Sequence, residues 1–366
     1  MKTWTTEDLK FMREAIALAE LAEGRTTPDP LVGAVLVKDG RIVSLGYHGE
    51  VTTAHAEAWA IDKAGGDVKG SILYVNLEPC SHYGNNPPCT DLILTSGIKE
   101  VVVAMKDPNP IVNGKGIRKL KKYGVKVRVG LLEEEARKLN EAFIKYMTSK
   151  RPYVVLKTAI TLDGKIATKT GASRWVAGQE SLKYAHHLRN VYDAILVGVN
   201  TVLVDNPKLT TRRVKRVKNP IRIVLDAFAR TPVTADVVKT KGARTIIVVG
   251  AQAKAKKIWQ LEKAGAEILQ LPAPKGKIDL KKLLQKLGKM KIASLLIEGG
   301  GEVNASFLEA GLVDKGLFII VPKIFGGRTA KTCVEGEGVK LPAQAKHLRV
   351  EEVRRLGNDI LVIGYF

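Results

Sequence analysis

A histidine, a glutamate and two cysteines near the start of the chain carry its most specific chemistry. His55-Ala56-Glu57 is followed by Pro79-Cys80 and then by Cys89. One imidazole and two thiolates make a three-ligand set for zinc, which in a catalytic site keeps its fourth position open for water. Zinc lowers the pKa of that water, and a carboxylate that is not itself a ligand relays protons during attack on an aromatic amidine carbon. Glu57 lies two residues beyond His55, at the start of an expected helix, and so reaches the site without binding the metal. Eight residues separate the cysteines, so Ser81 to Pro88 loop out between the ligands and present His82, Asn85 and Asn86. A competing assignment is a closed structural zinc site with His82 as fourth ligand. The ordered set, with Pro79 directly before Cys80 and Glu57 in place, favours catalysis.

A second group of residues lies late in the chain. Leu295-Leu296-Ile297-Glu298-Gly299-Gly300-Gly301 is an apolar run closed by glycines, and a helix is expected from Val303. Glycines at a strand-to-helix turn let backbone N–H groups approach a phosphate. The motif lacks Gly-x-Gly-x-x-Gly, and an ordinary tight turn is an equal reading of it alone. Three further groups follow expected strand ends, where α/β folds hold ligands. They are Thr161 to Lys165, Ser173-Arg174-Trp175, and Gly198 and Thr201 with Val204 to Pro207. Each by itself is ordinary loop or capping chemistry.

These residues need elements to position them. The pattern predicts helices over Thr6 to Glu23, His55 to Ala64, Cys89 to Ser96, Ile117 to Tyr123 and Glu133 to Met147. Strands are expected at Leu31 to Lys38 and Arg41 to Tyr47, joined as a hairpin at Asp39-Gly40, and at Ser71 to Val75, Glu100 to Ala104 and Val125 to Val129. Thr148 to Pro152 reads as a boundary between a first domain, 1–149, and a second, 150–366. Alternation then resumes. Strands are predicted at Tyr153 to Ala159, Ala194 to Val197, Ile221 to Leu225, Thr245 to Val249, Glu267 to Leu271 and Ser294 to Glu298. Helices are predicted at Gln179 to Asn190, Ala253 to Ala264, Asp279 to Leu287 and Val303 to Ala310. Both domains are therefore of the α/β class.

Bulk properties narrow the setting. The 366 residues suffice for two cores, and 45% hydrophobic with 26% charged residues is a globular composition. No apolar run approaches the roughly 20 residues that span a bilayer. Met1 to Lys10 lacks the apolar stretch of a signal peptide, so a cytoplasmic protein with no membrane partner is expected. Three cysteines, Cys80, Cys89 and Cys333, do not form a disulfide framework. The net charge of +22 suits nucleic acid, phosphorylated small molecules or a lysine-rich solvated surface. Its concentrations, Lys208 to Arg222 and Lys275 to Lys291, have no interleaved aromatic residues, which weighs against single-stranded nucleic acid.

The motifs also carry a family resemblance. Val32-Gly33, His55-Ala56-Glu57, Leu77-Glu78-Pro79-Cys80-Ser81-His82, Pro87-Pro88-Cys89 and Asp107-Pro108-Asn109-Pro110 resemble the deaminase half of the bifunctional riboflavin-biosynthesis deaminase/reductases. Leu156-Lys157, Leu162 to Ala167, Ser173 to Trp175, Leu196 to Pro207, Leu209-Thr210 and Glu298-Gly299-Gly300 resemble the reductase half. The likeness runs from about Thr6 to the C-terminus. It implies a cytidine-deaminase-like three-layer domain followed by a dihydrofolate-reductase-like α/β domain. It also implies hydrolytic deamination of 2,5-diamino-6-ribosylamino-4(3H)-pyrimidinone 5′-phosphate, then NADPH-dependent reduction of the ribose to ribitol, in a homo-oligomer acting on small molecules and not on nucleic acid.

Carried over motif by motif, the resemblance assigns zinc to His55, Cys80 and Cys89 and proton transfer to Glu57. Deaminase substrate contacts fall on Asp29, His48, His82, Asp107 and Asn109. NADPH contacts fall on Ala159, Trp175, Thr201, Ala227, Gly300, Gly301, Glu302, Val303, Asn304, Ala305 and Ser306. Reductase substrate contacts fall on Lys157, Ser173, Arg189, Asp205, Leu209, Arg212 and Glu298. Three departures are visible: Asp29 where the family usually has Asn, Asn85-Asn86 where it usually has a cation and Thr, and no glycine within Thr52 to Ala54. Asp29 keeps an acceptor but adds negative charge near a phosphorylated substrate, and Asn85 removes a cation. Two other readings stand beside this one. A nucleic-acid-editing zinc deaminase explains the charge but not the glycine turn. A non-enzymatic zinc-stabilised module leaves Glu57 without a task.

Overall fold

Thr5 starts the first helix: its hydroxyl accepts from the Asp8 N–H at 3.0 Å, while the Asp8 carboxylate accepts from the Thr5 N–H at 3.0 Å. This reciprocal capping box satisfies donors that a helix leaves open. The structure, a computed structural model, describes residues 4–51, 53–66, 68–83, 87–173 and 176–366. Contacts divide the chain into two compact units, Met1–Lys150 and Arg151–Phe366.

In the first unit helix α1 (Thr6–Glu20) turns Phe11, Met12, Ala15, Ile16 and Ala19 inward. Strands β1 (Gly33–Lys38) and β2 (Arg41–Tyr47) form the expected hairpin, with Asp39 and Gly40 both at positive φ (48° and 72°). There follow α2 (Ala56–Lys63), β3 (Ile72–Leu77), α3 (Cys89–Thr95), β4 (Glu100–Met105), α4 (Lys115–Lys122), β5 (Lys126–Val129), α5 (Glu133–Leu139) and α6 (Glu141–Ser149). Among the described residues the sheet order is β2-β1-β3-β4-β5; β1 runs antiparallel to both neighbours, and β3, β4 and β5 are parallel.

Helices cover both faces of this sheet. Gly33 faces α1, and the neighbouring pair Ala34↔Gly46 faces the other way, toward α2. A methyl on Gly46 would lie 2.2 Å from the Ala56 carbonyl oxygen, so this glycine is what lets α2 seat directly on β2. The helix expected over Glu133 to Met147 is broken at Asn140. Its buried amide side chain accepts from Leu31 N–H (2.8 Å) and donates to Leu31 O (3.0 Å), which fixes the chain entering β1 and interrupts the helix.

The second unit begins with β6 (Tyr153–Thr161), α7 (Gln179–Val191), β7 (Ala194–Gly198), α8 (Val199–Asp205) and β8 (Ile221–Leu225). It continues with α9 (Asp236–Lys239), β9 (Thr245–Val249), α10 (Ala255–Lys263), β10 (Glu267–Gln270), α11 (Leu280–Lys289), β11 (Ser294–Ile297) and α12 (Gly301–Glu309). It ends with β12 (Lys315–Val321), β13 (Arg349–Leu356) and β14 (Asp359–Tyr365). The sheet order is β10-β9-β8-β7-β11-β6-β12-β14-β13, parallel from β10 to β12 and antiparallel thereafter. Its central parallel strands β7, β9 and β11 are buried on both faces and read as largely apolar runs, such as Ala194 to Val197.

Three strands lie beyond the last predicted element. Gly198 to Pro207, expected as loop or capping chemistry after a strand, instead holds helix α8, closed by Asn206 in the left-handed region (φ 43°).

Candidate active sites

In the first unit His55 is the N-cap of α2, Cys80 follows β3 and Cys89 opens α3. Strand β3 and the starts of two helices therefore deliver the three ligands. His55 Nδ1 lies 3.2 Å from Cys89 Sγ and 3.5 Å from Cys80 Sγ, and the three donor atoms all lie within 4.8 Å of one another. One imidazole nitrogen and two sulfurs at this separation fit zinc in type, number and spacing. The Cys80 sulfur also accepts from the Cys89 N–H at 3.3 Å. Hydrogen bonds from Cys89 and His55 hold the Cys80 thiol down at about 4, and its bond to Cys80 lifts His55 to about 9.

Glu57 is buried in the first turn of α2, and burial raises its pKa. A carboxyl that resists ionisation is matched to taking and returning a proton near neutral pH. His82 is not part of the metal group among the described residues, which removes the closed four-ligand alternative.

The pocket beside these ligands has a volume of about 320 Å³ and is lined by Asp29, His48, His82, Asp107 and Asn109 together with His55, Glu57 and Cys80. All five predicted substrate positions therefore converge. Among the described residues His48 Nε2 and His82 Nδ1 are buried without a hydrogen-bond partner, which leaves both available to a ligand. Asp29 stands 3.7 Å from His48 Nε2. Burial lifts Asp107 to about 6. Sequence reasoning gave no role to Glu78. Its carboxylate accepts from the N–H groups of Asp107 (3.2 Å), Gly114 (2.8 Å) and Ile117 (3.2 Å), and so ties the segment bearing Asp107 and Asn109 to the strand bearing Cys80. Asn85 and Asn86 lie outside the described residues.

In the second unit Lys157 from the middle of β6, Arg189 from the last turn of α7 and Glu298 directly after β11 meet. Arg189 grips Glu298 with two nitrogens at 2.7 and 3.1 Å, and Lys157 Nζ stands 4.0 Å from the same carboxylate. Burial alone would raise Glu298, but Arg189 and Lys157 outweigh it and hold the carboxyl at about 2. Burial in turn lowers Lys157. Ser173 donates to Asp205 at 2.7 Å. Leu209 is at positive φ (51°), and Arg212 sends Nη1 to Thr210 Oγ1 at 3.4 Å.

Gly300 caps α12 and Gly301 begins it, so the glycine turn does present a helix N-terminus. Thr201 is the nearest neighbour of the space above Gly300. Ala227, Glu302, Val303 and Ser306 line a cleft of about 600 Å³ beside α12. Gly300 and Gly301 do not line that cleft, and Gly301 is buried against Thr332 and Glu335. Asn304 instead turns inward to the Cys333 carbonyl at 2.8 Å, and Ala305 is buried in the core. Ala159 is half-buried on β6. Trp175 lies outside the described residues, as does Arg174.

Fold and site together define a zinc-dependent deaminase unit joined to an α/β reductase unit. Residues 5–105 match the cytidine and deoxycytidylate deaminase zinc-binding region, and residues 152–362 match the RibD C-terminal domain. The riboflavin biosynthesis protein RibD of Aquifex aeolicus is 45% identical over 97% of this chain and 97% of its own. That of Escherichia coli is 36% identical over 97% and 98%. Solved RibD from Acinetobacter baumannii superposes with a TM-score of 0.89 at 34% identity, covering 98% of both chains. A diaminohydroxyphosphoribosylaminopyrimidine deaminase/5-amino-6-(5-phosphoribosylamino)uracil reductase from Thermotoga maritima gives 0.86 at 39% identity, again covering 98% of both. The chain belongs to the RibD family of bifunctional riboflavin-biosynthesis enzymes, a deaminase and a reductase whose cofactors are zinc and NADPH.

Proposed function

We propose that the first unit deaminates 2,5-diamino-6-ribosylamino-4(3H)-pyrimidinone 5′-phosphate and that the second reduces the ribose of the product to ribitol. The observation that carries the first half is the convergence of His55, Cys80 and Cys89 beside a buried Glu57 at a pocket lined by five polar groups. His55, Cys80 and Cys89 would hold zinc, which when bound would supply a water of lowered pKa. Glu57, buried at the same pocket, is the carboxylate that would take a proton from that water and return it to the departing amine, with ammonia leaving and a carbonyl remaining. His48, His82, Asp107 and Asn109 orient the pyrimidine and its ribose phosphate. Asp29 fills its position as an acceptor facing His48.

In the second unit Arg189 and Arg212 are the phosphate clamp, because a guanidinium fork matches phosphate oxygens. Ser173, Asp205, Leu209 and Glu298 complete the substrate site. Lys157, whose pKa burial lowers, is suited to handle a proton near the sugar carbon. NADPH supplies the hydride when bound. Ala159, Trp175, Thr201, Ala227 and Gly300 to Ser306 hold it, with Asn304 and Ala305 acting through backbone and packing. The first domain is taken as 1–149 and the second as 150–366.

The test is both half-reactions on the purified protein. Glu57→Gln is expected to cut ammonia release by at least about a hundredfold, with zinc content and NADPH oxidation unchanged. Full deaminase activity in that variant would remove Glu57 from the mechanism.

Small phosphorylated molecules, not nucleic acid, account for the basic surface in this reading. Among the described residues no helix is long and apolar enough to cross a membrane, in keeping with a cytoplasmic setting. A homo-oligomer belongs to this reading as what the family likeness implies. A single monomeric species in sedimentation would count against it.

A further inference from the structure

His186 is buried on α7, one turn before Arg189, and has no task in the reaction proposed above. Its Nδ1 accepts a hydrogen bond from the backbone N–H of Arg212 at 3.1 Å. The segment it touches is unusual. Leu209 (φ 51°) and Arg213 (φ 63°) both lie in the left-handed region, which costs energy for residues with side chains. Such a path persists only where its surroundings hold it. Three contacts do so at successive residues: Arg189 Nη1 to Thr210 O at 3.5 Å, Thr211 N–H to Asn219 Oδ1 at 2.9 Å, and Arg212 N–H to His186.

We infer that His186 is a positioning residue of the reductase: its Nδ1 lone pair holds the Thr210–Arg212 segment so that the guanidiniums of Arg189 and Arg212 converge on the substrate phosphate. The inference rests on the reading of those two arginines as the phosphate clamp. Only a neutral imidazole offers a lone pair, since both ring nitrogens donate once it is protonated. The surroundings keep it neutral. Burial, then Arg189 and Arg212, hold its pKa down at about 4, with Arg213 acting in the same sense and Glu298 opposing.

The experiment compares His186→Phe, which keeps a ring but loses the acceptor, with His186→Asn, whose Oδ1 falls near the position of Nδ1. Both are assayed with the phosphorylated ribosylaminopyrimidine substrate and with its dephosphorylated form. H186F is expected to raise KM for the phosphorylated substrate about tenfold, with little change in kcat, in KM for NADPH or in KM for the dephosphorylated form. H186N is expected to stay within about threefold of the parent protein. Ammonia release, a property of the first unit, should be unchanged in both. If H186F does not fold, His186→Met removes the nitrogen with a smaller packing demand and takes its place.

Arg212→Ala is the reference. If R212A raises KM for the phosphorylated substrate and H186F does not, the inference fails while the clamp stands. If R212A leaves KM unchanged, the clamp itself is wrong. Equal losses for both substrate forms, or equal losses in H186F and H186N, would reduce His186 to a packing residue and overturn the proposal.

Discussion

At the scale of single residues, Asp8 shows how much of a site's support lies outside any motif. It caps α1, yet it also accepts both terminal nitrogens of Arg128 at 2.8 Å and the Tyr74 hydroxyl at 2.8 Å. Arg128 further binds Glu100 through Nε at 2.5 Å. The Arg128 guanidinium holds the Asp8 carboxyl well below the usual carboxylate range. A carboxylate whose pKa is depressed by folding stabilises the protein above its unfolded pKa, near 4, and loses that contribution as pH falls. Asp8→Asn should therefore cost about 2–3 kcal/mol in urea unfolding at pH 7, because it leaves a largely buried pair half-broken. The difference from the parent protein should shrink by pH 3. A gap that stayed constant with pH would mean that Asp8 acts through shape and not through charge.

The zinc set was legible at this scale because its meaning is local: a residue type, a spacing and a proline. Asp8 and Arg128 stand 120 residues apart, and nothing in the local sequence of either announces the other. Glu78 sits inside a recognised motif, but its work is done on backbone N–H groups 29 to 39 residues further on. Asn140 was read as one more position in a helix, although its side chain bonds to Leu31 across 109 residues. Residues whose partners are distant backbone atoms leave no periodic trace.

At the scale of elements, the deaminase site depends on how closely α2 sits on β2. His55 and Glu57 enter the pocket from the first turn of α2, and Gly46 leaves no room beneath that turn for a methyl group. Gly46→Ala must move backbone, since the contacts in question are the Ala56 carbonyl oxygen at 2.2 Å and the Ala60 nitrogen at 2.6 Å. Overpacking of this kind costs about 1–3 kcal/mol. The expected result is a lower unfolding midpoint, and ammonia release reduced more than tenfold even in the fraction that remains folded. NADPH oxidation should be unaffected. Unchanged deaminase activity would show that α2 tolerates displacement.

Most elements up to α12 were legible from period and punctuation, and the three C-terminal strands were not. In β14 the run Ile360 to Ile363 is apolar, and Gly357-Asn358 marks the tight turn before it, so a signal was present. Strand β13 gave none. Arg349 to Arg355 is exposed throughout and charged at every position but Val350 and Val353, so neither face carries an apolar alternation, and the strand exists because β14 pairs with it. Edge strands of this kind are set by their neighbour rather than by their own pattern. Helix α8 was hidden for another reason: seven residues between a strand and a left-handed Asn are too few for a helical period to show.

At the scale of the whole molecule, the chain carries two chemistries with separate requirements. The metal-type cluster found among the described residues lies in the first unit, and the second unit's cleft beside α12 is lined by apolar and charged side chains such as Phe228, Arg230, Lys277 and Glu302. Each unit also has its own buried apolar core, one around Val35, Leu73 and Val102, the other around Leu196, Leu295 and Phe307. Zinc links the start of α2, the end of β3 and the start of α3, so it contributes to the stability of the first unit as well as to its chemistry. A ligand that binds only the folded state raises its unfolding midpoint, and it does so for the unit that holds it. Thermal unfolding is thus expected to show two transitions. A strong chelator should lower one of them and abolish ammonia release, while NADPH oxidation with the aminouracil substrate stays within about twofold of its starting value. Saturating NADPH should raise the other transition with or without metal. Chelation that depressed both transitions together, or that stopped NADPH oxidation, would mean that the two units do not unfold as separate cooperative bodies.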